Sequence, residues 1–127
     1  MNSLRICREI NHAICFFNVK NIELRGYTVK NSANWAHNIY NSKNITAKKL
    51  KVLGGHDGFD VRTCDDVLVE NCRFDTGDDC IAGFDNLNVT VKNCTMASGC
   101  SIFRFGGTDV LIENCECSFS RYACRGG

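Results

Sequence analysis

Three aspartates in this chain are spaced so that they could act on one bond. Asp57 stands in Gly55-His56-Asp57-Gly58-Phe59-Asp60, and Asp78 and Asp79 stand in Thr76-Gly77-Asp78-Asp79-Cys80-Ile81-Ala82. Each group precedes a short apolar run, and the offset is 21 or 22 residues, depending on whether Asp57 is matched with Asp78 or Asp79. If that offset is one turn of a coil, neighbouring turns lie about 4.8 Å apart and the carboxylates come within roughly 5 to 8 Å of one another. Like charges that close raise at least one pKa, so one group stays protonated as an acid while another stays ionised as a base. Cleavage of a glycosidic bond uses that division: an acid protonates the leaving oxygen, and a carboxylate activates water. The plainer reading is that Asp and Gly form turns, and Asp65-Asp66 is read as only that. Position separates the two groups, because Asp57 and Asp78-Asp79 both precede strand segments in adjacent turns, whereas Asp65-Asp66 and Asp109 occupy the turn before the Asn-Cys strand.

The elements that must hold these residues follow from an internal repeat. Ile22, Ile45, Val67, Val89 and Val110 each follow an Asn or Asp, at intervals of 23, 22, 22 and 21 residues. Seven positions after them come Val29, Val52, Phe74, Met96 and Cys117. The segments between alternate apolar and polar residues and are rich in Val and Ile, which predicts short strands. A unit of this length cannot bury its own apolar face and must stack on its neighbours. The arrangement that pairs every backbone group is an all-β, right-handed parallel β-helix of about five to six coils. A leucine-rich repeat has a similar length, but its spaced Leu signature is absent. Asn71, Asn93 and Asn114 are expected to form a ladder of bonded amides, with Cys72, Cys94 and Cys115 stacked beside them. Before the first clear repeat, Ile14, Phe16 and Val19 are expected to face inward in a further coil.

Composition narrows the function classes. The 15 basic and 14 acidic residues are mixed and leave a net charge of +1, so nothing suggests a nucleic-acid binder. No apolar run reaches the roughly 18 residues of a membrane span, and MNSLRICREI lacks the apolar core of a secretion signal. Ten cysteines with no Cys-x-x-Cys pair read as free, buried small apolar residues rather than as a disulfide framework or a zinc site. Asn44, Asn88 and Asn93 begin Asn-x-Thr triplets but are read as repeat positions. Neither end shows a capping element, so residues 1–127 are expected to be one segment of a longer β-helix.

The same residues carry a resemblance. Gly55-His56-Asp57-Gly58-Phe59-Asp60-Val61, then Val67-Leu68-Val69-Glu70-Asn71-Cys72, then Thr76-Gly77-Asp78-Asp79-Cys80-Ile81-Ala82 is similar to the central signature of glycoside hydrolase family 28, the polygalacturonases and related pectin-degrading enzymes. Asn31-Ser32-Ala33-Asn34-Trp35 resembles the segment ending in Trp one coil earlier in that family, and the similarity runs from about residue 14 to 105. The resemblance implies a pectin lyase-like β-helix and an inverting hydrolysis with Asp57, Asp78 and Asp79 as catalytic residues. Asp78 would be the general acid, and Asp57 with Asp79 would hold and activate the water. Two departures stand out. The family's Gly-His-Gly is Gly99-Cys100-Ser101 here, and its Arg-Ile-Lys substrate clamp has no clean match. His56 either compensates in part for the absent histidine or is an exposed turn residue. Arg104 and Arg125 either bind a uronate carboxylate as a fork or are outward surface charges.

Three functions remain open at this point: a hydrolase of a pectic or related polysaccharide, a polysaccharide lyase on the same fold using calcium and an Arg base, and a non-catalytic carbohydrate-binding or structural β-helix. The expected partner is a polysaccharide, with no cofactor or metal, no nucleic acid and no membrane, and the full-length protein is expected to be a monomer. The family is usually exported, yet this chain starts without a signal, so its location is open.

Overall fold

The structure is a computed structural model that describes the backbone of residues 3–5 and all of residues 13–120. β1 (Ser3–Arg5) precedes five coils. The first holds β2 (Ile14–Phe17), β3 (Lys20–Arg25) and β4 (Thr28–Lys30), and the second holds β5 (His37–Tyr40), β6 (Lys43–Lys48) and β7 (Lys51–Leu53). The third holds β8 (Phe59–Arg62), β9 (Asp65–Glu70) and β10 (Arg73–Thr76). In the fourth and fifth, the first two strands run together as β11 (Ile81–Lys92) and β13 (Phe103–Glu113), followed by β12 (Thr95–Ser98) and β14 (Glu116–Phe119).

Each strand pairs in parallel with its counterpart one coil away, and the predicted repeat is the observed register. Ile22 pairs with Ile45, Ile45 with Val67, Val67 with Val89 and Val89 with Val110. Val29, Val52, Phe74, Met96 and Cys117 form the second such column. The result is a right-handed parallel β-helix of about five coils. Inward columns fill it with Ile39, Ile45, Val52, Phe59, Val69, Phe74 and Met96, all essentially excluded from water. β1 departs from the pattern by pairing antiparallel with β2. Of the inward residues expected in the first coil, Val19 is buried, but Ile14 and Phe16 are only half-buried, because strand alternation turns Cys15 between them into the core instead.

The corners explain why Asn and Asp recur. Among the described residues, fourteen non-glycine residues have positive φ, and twelve of them are Asn or Asp, including Asn21, Asn44, Asp66, Asn88 and Asp109 just before the columns named above. Short polar side chains tolerate the left-handed region that a sharp corner needs. Gly83, at φ 142, has a different reason. A Cβ there would lie 1.8 Å from the Val61 carbonyl oxygen, so only glycine lets β11 lie on β8.

Two expectations about side chains are corrected. Asn71 and Asn93 sit at left-handed corners with exposed side chains and make no amide ladder. The ladders run instead from Asn41 to Asn18 at 2.7 Å and from Asn44 to Asn21 at 2.8 Å, where the side chains of adjacent coils face each other. Cys72 and Cys94 are free and buried as expected, their thiols donating to Ala47 O and Val69 O one coil away. Cys15, however, is disulfide-bonded.

Candidate active site

The turns that lead into β8 and β11 lie on one another, and their hydrogen bonds settle which aspartates match. Gly58 N donates to Asp79 O at 2.9 Å and Phe59 N to Cys80 O at 2.9 Å, while Phe59 pairs with Ile81. Asp57 therefore stacks on Asp79, at the 22-residue offset. The Asp57 carboxylate accepts a hydrogen bond from the Asp79 backbone N–H at 3.0 Å, so one catalytic candidate is anchored by the backbone of another. Cys80 N donates to Ser101 O in the next coil, which places Ser101 above Asp79 and Cys100 beside Asp78. The polar side-chain atoms of Asp78, Asp79 and Cys100 lie within 4.8 Å of one another, the one grouping among the described residues that converges closely enough to hold a cation.

Strand alternation adds two residues that sequence reasoning did not assign to the site. Phe59 and Val61 point into the core, so Asp60 and Arg62 belong to the opposite, cleft-facing side of β8. The signal was in the sequence, since the apolar-charged alternation of Phe59-Asp60-Val61-Arg62 puts the two charged residues on one face. Asp57, Asp60 and Asp79 line a cavity of about 300 Å³ together with Arg62, Arg104, Trp35 and Phe84. Asp57, Asp60 and Asp79 are 7%, 1% and 2% exposed, whereas Asp78 is half-buried.

Crowding of buried carboxylates shapes their protonation. Burial pushes Asp60 up to about 10, helped by the neighbouring charges of Asp57 and Asp79. Neither Asp60 oxygen has a hydrogen-bond partner to stabilise a charge, so at neutral pH Asp60 keeps a proton. Asp57 is also raised, first by burial and then by Asp78, while the proximity of Asp60, the hydrogen bond from the Asp79 backbone and the charge of His56 pull it back. Burial, Asp57 and Asp78 push Asp79 up to about 6 against the pull of Arg104. The arrangement holds a proton-carrying carboxyl and an ionisable one within one small space at mildly acidic pH, which acid–base chemistry requires.

Beneath the site, His37 holds the turn from inside. It is fully buried, its Nδ1 lies 2.9 Å from Gly58 O and its Nε2 lies 2.7 Å from the Tyr27 hydroxyl. With Nδ1 donating to the carbonyl and Nε2 accepting from tyrosine, both nitrogens are satisfied by the neutral ring. Burial pushes its pKa down to about 4.

The predicted binding residues separate. Arg104 is exposed, lines the cavity and acts on Asp79. His56 is half-buried beside the cavity, with its charge felt at Asp57. Arg125 lies outside the described residues.

The sequence profile of Glycosyl hydrolases family 28 matches residues 2–126. The chain belongs to this family. It is 27% identical to a polygalacturonase of Brassica napus over 86% of this chain and 31% of that protein. It is also 27% identical to an exopolygalacturonase of Oenothera organensis, over 94% of this chain and 37% of that protein. A probable endopolygalacturonase D of Emericella nidulans is 28% identical over 90% of this chain and 23% of that protein. The chain thus spans about a third or less of the length of these curated relatives. No solved structure matches it.

Proposed function

We propose that this family 28 chain carries the catalytic face of an inverting glycoside hydrolase that acts on a pectic or related acidic polysaccharide. The observation that carries the reading is the stacking of Asp57 on Asp79 with Asp78 beside them, at the edge of a cavity that also holds two arginines. Asp78 is the least buried of the three, so it can approach the leaving oxygen and protonate it. Asp57 and Asp79 hold a water between them. Asp79, titrating near 6, is poised to take its proton in mildly acidic solution. Asp60 keeps the group from carrying a fourth negative charge.

The relatives named as polygalacturonases and exopolygalacturonases support a pectic substrate. The test is incubation with polygalacturonate while following reducing ends, near-ultraviolet absorbance and the anomeric form of the first product. The reading expects reducing ends of inverted configuration and no absorbance. An unsaturated, absorbing product that disappears with chelator would mean a lyase, and retention of the polymer without cleavage would mean a binding module.

A further inference from the structure

The cavity beside the aspartates contains a cation that its surroundings orient but do not neutralise. The Arg62 guanidinium lies 5.3 Å from the centre of the Trp35 ring and 5.4 Å from that of Tyr40, and its Nη2 donates to Asn38 Oδ1 at 2.7 Å. Two rings and an amide fix its plane, and none of them carries negative charge. Its Nε is buried and has no acceptor. Among the described residues the ion pairs are Arg25–Glu23, Lys48–Glu70 and Lys92–Glu70, all away from Arg62. Asp60, two residues away on the same face of β8, carries its own proton and does not discharge it.

A planar, held guanidinium with an unused donor matches a carboxylate better than it matches a hydroxyl, because a carboxylate accepts two parallel N–H bonds. Arg62 itself lines the cavity that holds Asp57 and Asp79, so a ligand bound there meets this side chain. Arg104 belongs to the same cavity two coils further on, so the acidic centre is flanked by positive charge along the helix axis.

We propose that Arg62 is the carboxylate-binding residue of a sugar subsite next to Asp57 and Asp79, and that it selects a hexuronate over the neutral or esterified sugar. The inference rests on the hydrolase reading only for where the cleaved bond lies; recognition itself is a binding event and is tested as one.

The experiment is calorimetric titration of the chain with trigalacturonate and with its methyl ester, for the wild type, Arg62→Met and Arg62→Lys, with a thermal melt of each. The wild type is expected to bind the acid at least about tenfold more tightly than the ester, the scale of a charge-assisted hydrogen bond. Arg62→Met, which keeps much of the alkyl packing beside the rings, is expected to lose that preference while ester binding stays the same. Arg62→Lys keeps the charge without the fork and should fall between, and it carries the test alone if the Met variant does not fold. Equal wild-type affinity for acid and ester, no wild-type binding to either, or a preference unchanged in both variants would overturn the proposal. So would equal weakening of both ligands, which is what a purely structural role of Arg62 gives. Arg62-dependent preference without release of reducing ends would sink the hydrolase reading alone. Hydrolysis with a preference indifferent to Arg62 would sink only this one.

Discussion

Two stacks of polar residues flank the first strand of the third and fourth coils, each rich in aspartate, and they end in opposite states. On one side, after the strand, Thr63 Oγ1 donates to Asp85 Oδ2 at 3.1 Å and Asn88 Nδ2 donates to Asp66 Oδ1 at 2.8 Å. The Asn86 amide closes both its bonds, accepting from Cys64 N and donating to Val61 O, each at 3.0 Å. On the other side, before and along the strand, Asp57, Asp60 and Asp79 are buried against one another, with both oxygens of Asp60 and Oδ1 of Asp79 lacking partners. The satisfied side even has the larger hollow, about 490 Å³ lined by Asn41, Lys43, Asp65 and Asp85. The size of a hollow therefore does not mark chemistry; unsatisfied, mutually repelling carboxylates do. A ladder whose bonds are complete stabilises the coil and has nothing left to offer a substrate.

The sharpest way to break this contrast is to remove one carboxylate from each side. Asp78→Asn is expected to lower hydrolysis by about a hundredfold to ten-thousandfold, the usual range for a general acid, whereas Asp85→Asn should stay within about twofold. Initial rates of reducing-end release measure both, and an active Asp78→Asn would reassign the acid.

The next effect concerns pH and His37. Its folded pKa of about 4 lies below its unfolded value near 6.5, so its contribution to stability is complete above pH 6.5 and is lost as pH falls toward 4. At about 1.4 kcal/mol per unit this is about 3 kcal/mol. Asp60 works the other way: its folded pKa lies above its unfolded one, so it weakens the fold as pH rises from about 4 to about 10. The two oppose each other between pH 4 and 6.5. Urea unfolding of Asp60→Asn is expected to expose the full acid loss due to His37, which the wild type partly hides.

Above pH 6.5, where His37 no longer titrates, the same Asp60→Asn variant should be more stable than the wild type by on the order of 2 kcal/mol, because it removes a crowded buried carboxyl. Asp66→Ala, on the satisfied side, should lose about 1 kcal/mol with its ladder bond and its left-handed corner. Opposite signs at two aspartates of one coil would confirm the contrast, and equal signs would erase it. The smallest effect is at Arg104. It holds Asp79 down, so Arg104→Gln should move the acid limb of the rate profile, near pH 6, upward by less than about one unit. A downward move would mean that Asp79 is not the base.

Much of the fold was legible because a repeat is a one-dimensional signal. The columns headed by Ile22 and Val29 could be aligned by counting, and their register in space is the same alignment. Asp57, Asp78 and Asp79 were legible for the same reason. The amide ladder was misplaced from Asn71 to the corners at Asn18 and Asn21, because counting shows that asparagines recur but not which way their side chains turn at a left-handed corner. Asp60 and Arg62 were visible as alternation on β8 yet carried no sign of function until the cavity gathered them. Cys15 shows the limit from another direction, since composition marks a thiol but not what lies opposite it.

Sequence by itself determined the coil, its period and the convergence of aspartates, because stacking turns sequence separation into a nearly fixed distance of about 4.8 Å per coil. Only the tertiary structure decided that Asp57 meets Asp79 rather than Asp78, that Asp60 is driven to keep its proton, and that Arg62 is held beside two rings without an ion-pair partner. Those outcomes depend on burial and on atoms from three different coils, and the energy of a charge is set by everything that surrounds it rather than by its place along the chain.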